Sequence, residues 1–337
     1  MRLICAGMVL VLSSLTVALA DDNNDDSNNA KKNDPSQIGN RDVDKGLNCY
    51  SIEKEIAMGK QLAGEVKRQA KLMDDPIISE YVNRVGQNLV RNSDAKVPFT
   101  FEVIDDPTLN AFALPGGFIF VHTGLMTAAE TEAEMASAMA HEIAHVAARH
   151  MTRQACRAQV ANLATIPLIF LGGWGGFAGR QVASAVIPMT FLSFSRSFEA
   201  EADYLGFQYL YAAGYDPTAA VDMFEKMASL QKQKPGAIAK VFSTHPMNDD
   251  RLKKTQAEIQ RILPQKAQYV VNTSEYAEVR GRLLSIENQR KLRSTEKDPK
   301  GPVLRRSPGS GDPSAPDAAD SGSGDDRPTI KRRDLVE

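Results

Sequence analysis

The chain has 337 residues, a formal net charge of −2, 42% hydrophobic and 24% charged residues. That length allows one domain of roughly 200 to 250 residues with tails. The composition is that of a globular protein, and near-neutral charge argues against a nucleic-acid partner, which would need a basic surface.

The first twenty residues read as a secretory signal. Arg2 gives a short basic start, an apolar run follows from Leu3 to Val17, and Ala18-Leu19-Ala20 fits an A-x-A cleavage site. An uncleaved anchor is the other reading, but the run is short for a span and the very polar stretch Asp21 to Asn29 follows at once. Cys5 sits too early for a lipoprotein cleavage box, so an exported mature chain keeps Cys49 and Cys156 in an oxidising compartment. Whether they pair or stay as two thiols is open at this level, and neither has metal-site spacing. Residues 21–46 are rich in Asp, Asn, Lys and Ser and read as a disordered linker. Residues 293–337 read as a disordered tail, which leaves 47–292 as the folded domain.

Within that domain Ser51 can cap a helix carrying Ile52, Ile56, Leu62 and Val66 on a helical period, and a second helix starts near Pro76. Strand signals follow at Phe99–Ile104. Next comes a hairpin-like unit, or one kinked strand: Asn110 to Leu114, the turn Pro115-Gly116-Gly117, then Phe118 to Val121. A helix free of Gly and Pro is expected from about Ala128 to beyond His150. Val160 to Gly179 carries no charge but contains Pro167 and five glycines. It reads as a buried or cleft-covering hydrophobic loop, or as a segment in peripheral contact with a membrane. A long helix then ends near Gly214, another starts at Pro217, and helices at about 248–262 and 274–292 close the domain. The whole is an α+β arrangement, mainly helical, with a small sheet beside the central helix.

The central helix carries His141-Glu142-Ile143-Ala144-His145. Two histidines four residues apart share a helix face, so both imidazoles can reach one zinc ion. Glu142 can then take a proton from a water polarised there. A catalytic zinc commonly has three protein ligands. His150 fails as the third if the helix continues, because nine residues at about 100° each place it on the far side of the helix from His141. The metzincin pattern fails too, since positions 148 and 151 are Ala148 and Met151. His150 therefore reads as a surface or packing residue. The remaining source is a carboxylate on another helix. Glu199 and Asp203 are four apart on one face, so one can bind zinc while the other accepts the free N–H of a ligating histidine. Glu201 points away from that face and reads as solvent-exposed or salt-bridged.

An HExxH motif followed by Ser195-Arg196, Glu199 and Ala202-Asp203 resembles the gluzincin family of zinc metallopeptidases that contains the CAAX prenyl protease, HtpX and BepA. Asn110-Ala111-Phe112-Ala113-Leu114-Pro115-Gly116-Gly117, Val121-His122-Thr123-Gly124-Leu125, and Ser243-Thr244-His245-Pro246 with Arg251 look like its soluble exported branch. The likeness covers roughly residues 50 to 262. It implies a zincin-like domain with one Zn2+ held by His141, His145 and Glu199, with Glu142 as general base and Asp203 behind a ligand. His245 resembles a histidine near the metal that either stabilises the reacting oxyanion or latches the open position. No tetratricopeptide-repeat region follows the domain, so recognition by such repeats does not carry over. The function so implied is a zinc-dependent endopeptidase of the cell envelope, periplasmic, with unfolded or misassembled envelope polypeptides as substrates. The rival is a non-catalytic or dual-role chaperone for outer-membrane proteins.

Overall fold

The computed structural model describes residues 31–171, 194–233, 245 and 249–297. The expected signal at 1–20, residues 21–30 of the expected linker, the part of the 160–179 stretch beyond Leu171, and the tail beyond Lys297 lie outside the described residues. Two compact units are distinguished, Met1–Gln289 and Arg290–Glu337. The elements below belong to the first, apart from the end of the last helix.

Local chemistry starts each helix. Ser51 Oγ accepts the Lys54 N–H at the head of α1 (Ile52–Gln69), and Asp75 accepts the Ile77 and Ile78 N–H groups at the head of α2 (Pro76–Arg91). Ile78, Tyr81, Val82, Val85 and Leu89 of α2 are buried at helical spacing, which faces this helix onto the sheet and the core. The sheet has three strands, β1 (Thr100–Ile104), β2 (Ala111–Leu114) and β3 (Phe118–His122), in the order β1-β3-β2. β3 runs parallel to β1 and antiparallel to β2, so the expected kinked unit is a hairpin. Its turn needs glycine for two reasons. Gly116 and Gly117 have φ of 74° and 95°, and a Cβ at Gly117 would lie 2.1 Å from the Pro98 carbonyl oxygen.

A short α3 (Thr123–Ala128) leads into α4 (Glu132–Ala147), capped by Thr131. Every residue of α4 but Ala138 is buried, the pattern of a helix surrounded by protein. Around it lie α2, β2, α6 (Arg196–Ala212) and α7 (Ala219–Gln233), with α8 (Asp249–Ile262) against α6 and α7. α9 (Ser274–Lys297) sends Tyr276 into the core, where its hydroxyl donates to the carbonyls of Met126 and Ala129.

The structure corrects three expectations. First, the central helix does not run past His150. It stops at Ala147, Arg149 adopts a left-handed φ of 55°, and a new helix, α5 (His150–Leu171), begins. The unusual arginine conformation is held by two anchors on the preceding segment, Glu55 Oε2 at 2.8 Å and the Tyr50 carbonyl at 2.7 Å. Second, residues 160–171 are helical rather than loop, Pro167 included. No helix among the described residues is long and apolar enough to cross a membrane. Third, residues 31–46 of the expected linker lie on the domain. Arg41 is buried and donates to Asp94 and to Gln208 Oε1, and Val43 is in the core. The structure also settles the cysteines: Cys49 and Cys156 form a disulfide with a Cα–Cα distance of 5.3 Å, tying the segment before α1 to α5.

Candidate metal centre

α4 delivers His141 and His145 to one face, as their spacing requires. Their Nε2 atoms are 3.0 Å apart. α6 delivers Glu199, whose carboxylate oxygens lie 3.6 Å from each of these nitrogens. The two helices pack closely at Gly206, where a Cβ would sit 3.2 Å from the His141 Cα. His245, from the segment between α7 and α8, completes the group. Its Nδ1 is 2.9 Å from Glu199 Oε1 and 3.4 Å from His141 Nε2.

One ligand atom from each of His141, His145, Glu199 and His245 can be chosen so that all lie within 4.8 Å of one another, and all four side chains are buried. Ligands 2.0–2.1 Å from a tetrahedral ion lie roughly 3.3 Å apart, and the separations here bracket that value. Two imidazole nitrogens facing each other at 3.0 Å, with a buried carboxylate beside them, are an unfavourable set unless a cation or proton lies between them. The donor set fits a metal ion.

The protonation preferences of the two histidines differ. Burial, then the neighbouring His141, holds His145 well below the usual imidazole range, so it keeps a free lone pair. Burial also works against a charged His141, but Asp203 and Glu199 outweigh it and push His141 up to about 10. A metal ion would displace that proton, because ligation requires neutral imidazole. Burial likewise disfavours charge on Glu199, yet the nearby histidines overcome it and keep the carboxyl below its ordinary range.

Asp203, one turn beyond Glu199 on α6, places Oδ1 3.1 Å from His141 Nδ1. Arg251 of α8 grips Asp203 with Nε and Nη2 at 2.8 Å each and reaches Glu199 Oε2 with Nη1 at 3.0 Å. Glu142 stands at the cleft, with Oε2 accepting the Ala113 N–H at 2.9 Å. Burial raises its carboxyl above the ordinary range, partly offset by His245 and His141. His245 Nε2 is 3.3 Å from Glu142 Oε1, so this imidazole stands between the ligand group and the acid.

β2 is the edge strand that lies beside Glu142. Asn110 accepts the His122 N–H, and the register sets Phe112 opposite Phe120, so Ala111 and Ala113 turn their backbone groups away from β3. Leu109, Leu125, Met223, Phe224 and Met227 form an apolar wall next to His141, Glu142 and Arg251.

The structure thus brings together all six residues singled out in the sequence: His141, Glu142, His145, Glu199, Asp203 and His245. Arg251, noted there only as part of the family resemblance, grips both acids. The reading of His150 as a surface or packing residue misses its contact with the site. It is fully buried, with Nδ1 2.9 Å from His145 Nδ1. Nine residues place His150 on the far side only of a continuous helix, and the break at Arg149 interrupts this one. Glu201 is salt-bridged as expected, and one of its partners is His150.

The Peptidase family M48 model matches residues 76–259, more than half of the chain. The chain belongs to peptidase family M48. A beta-barrel assembly-enhancing protease of Yersinia pestis is 31% identical over 64% of this chain and 46% of its own length. A putative beta-barrel assembly-enhancing protease of Vibrio cholerae is 33% identical, covering 70% of this chain and 50% of its own. The mitochondrial metalloendopeptidase OMA1 of Schizosaccharomyces pombe is 34% identical over 52% of this chain and 51% of its own. The chain therefore spans about half the length of the curated relatives it matches. The M48 match contains every residue of the candidate centre.

Proposed function

We propose that the chain is a zinc-dependent endopeptidase of the cell envelope that cleaves unfolded or misassembled proteins. The observation that carries this reading is Glu142. A buried carboxylate is held by the backbone of an edge strand, beside three side chains suited to one metal ion. A structural site has no use for such an acid. Zinc would be held by His141, His145 and Glu199, and would supply the Lewis acidity that activates water and polarises the scissile carbonyl.

The chain's own groups account for the rest. Glu142 takes the proton of the attacking water and returns it to the leaving amine, and its raised proton affinity suits that task. The outward backbone groups of Ala111 and the Ala113 carbonyl can pair with an extended peptide, which selects unfolded segments by backbone rather than by sequence. The apolar wall suits the side chains that misassembled proteins expose. Asp203 fixes His141. The signal-like first twenty residues and relatives named for β-barrel assembly support the envelope, and the periplasm in particular, as the place of action.

His245 favours a second role in the same chain. Its imidazole contacts both Glu199 and Glu142, which places it where it can latch the site. A latched site could hold envelope proteins without cutting them, as an assembly factor does.

Casein cleavage by the zinc-loaded full chain tests the main reading. Glu142→Gln should retain zinc and lose activity by about 10²–10⁴-fold, the usual contribution of a general base. Unchanged cleavage by that variant would sink the mechanism, and unchanged zinc content in Glu199→Gln would remove Glu199 as the third ligand.

A further inference from the structure

His141 and His145 both turn Nε2 toward the metal centre, so each needs a partner for Nδ1. His141 has Asp203. His145 is served differently. Its Nδ1 is 2.9 Å from Nδ1 of His150, and Nε2 of His150 is 3.1 Å from Glu201 Oε2. Both ends of this chain are fixed. Phe198 stacks on the His150 ring with centroids 4.4 Å apart and planes 21° apart. Glu201 is held by Arg153 Nη1 at 3.3 Å and by Lys32. His150 is not carried on by α4: Arg149 is left-handed, and α5 starts at the histidine.

Hydrogen counting fixes the tautomers. A His145 that binds through Nε2 must carry its hydrogen on Nδ1. Two facing ring nitrogens at 2.9 Å share one hydrogen, so Nδ1 of His150 accepts it. The hydrogen of His150 is then on Nε2, where a carboxylate can only accept. We propose that His150 and Glu201 are positioning residues that set the tautomer and ring orientation of His145 for metal binding. The proposal rests on the reading of His141, His145 and Glu199 as a metal centre. One helix, α6, then governs the whole centre: it provides the ligand Glu199, supports His141 directly through Asp203, and supports His145 through Glu201 and His150.

Zinc affinity of the full chain, measured by competition with a chromophoric chelator, tests this without reference to cleavage. His150→Phe keeps an aromatic ring to pack on Phe198 but offers no acceptor, and should bind zinc about 10–100-fold more weakly. His150→Gln offers an amide oxygen to the His145 Nδ1–H and should recover most of that loss. Glu201→Gln, which leaves the buried ring in place, should lose several-fold. Wild-type affinity in His150→Phe, equal losses in the Phe and Gln variants, or unchanged affinity in Glu201→Gln would each overturn the proposal. If His150→Phe does not fold, Glu201→Gln and His150→Gln still decide the matter. A wild-type chain that takes up no zinc in the same titration would overturn the metal centre itself, a different result.

Discussion

At the scale of single residues, the centre is a set of charges that would be costly if any were isolated. Glu142, Glu199 and Asp203 are buried carboxylates within reach of His141, His245 and Arg251. Each acid has a defined partner, and the partner fixes its job. Asp203 lies between Arg251 and His141, Glu199 faces the imidazoles, and Glu142 is held at the Ala113 N–H. His245 touches both Glu199 and the proposed base. If it blocks the position that substrate needs, His245→Ala should raise the initial rate of casein cleavage several-fold while zinc content stays unchanged. A fall in kcat with unchanged zinc would assign His245 to the reaction itself.

At the scale of elements, two contacts decide whether the centre exists. The first is the close approach of α4 and α6. Gly206 lets the helix carrying Glu199 bring its carboxylate within 3.6 Å of the histidines on the other helix. Gly206→Leu should push them apart, costing about 1–3 kcal/mol of stability for overpacking. The variant should lose zinc affinity even where it remains folded, as read by urea unfolding beside chelator competition. A variant with wild-type affinity would show that helix separation does not limit the site. The second contact is the break between α4 and α5. Helical spacing was enough to place His141 with His145, and Glu199 with Asp203, because these pairs lie inside unbroken helices. It misplaced His150, because the break has neither Gly nor Pro to mark it. Instead, an arginine adopts the left-handed conformation there, with its side chain held by Glu55 and the Tyr50 carbonyl, some hundred residues earlier.

At the scale of the whole molecule, the N-terminal part of the described chain works as a strap. Arg41 enters a buried network with Asp94 and Gln208, Lys32 reaches Glu201, and Cys49 is bonded to Cys156. Composition suggested a linker for 21–46 because averages over polar residues hide a single buried arginine. The disulfide spans 107 residues, so replacing both cysteines with serine should destabilise the chain by about 2–5 kcal/mol. Denaturant unfolding of the oxidised wild type and the double variant would measure this. Equal midpoints would mean that the strap is held by Arg41 and its partners alone.

The sequence by itself determined the class of fold and supplied the side chains from which the proposed metal centre is built. Ligand pairs at helical spacing, strand alternation and cap residues are local, and local signals survive without tertiary context. Only the tertiary structure decided which distant groups meet. It chose the disulfide, brought His245 between Glu142 and Glu199, set Arg251 on two acids, and turned His150 beneath His145. Those contacts join segments far apart in the chain or depend on a backbone conformation imposed from elsewhere, and no periodicity within a helix or strand encodes either.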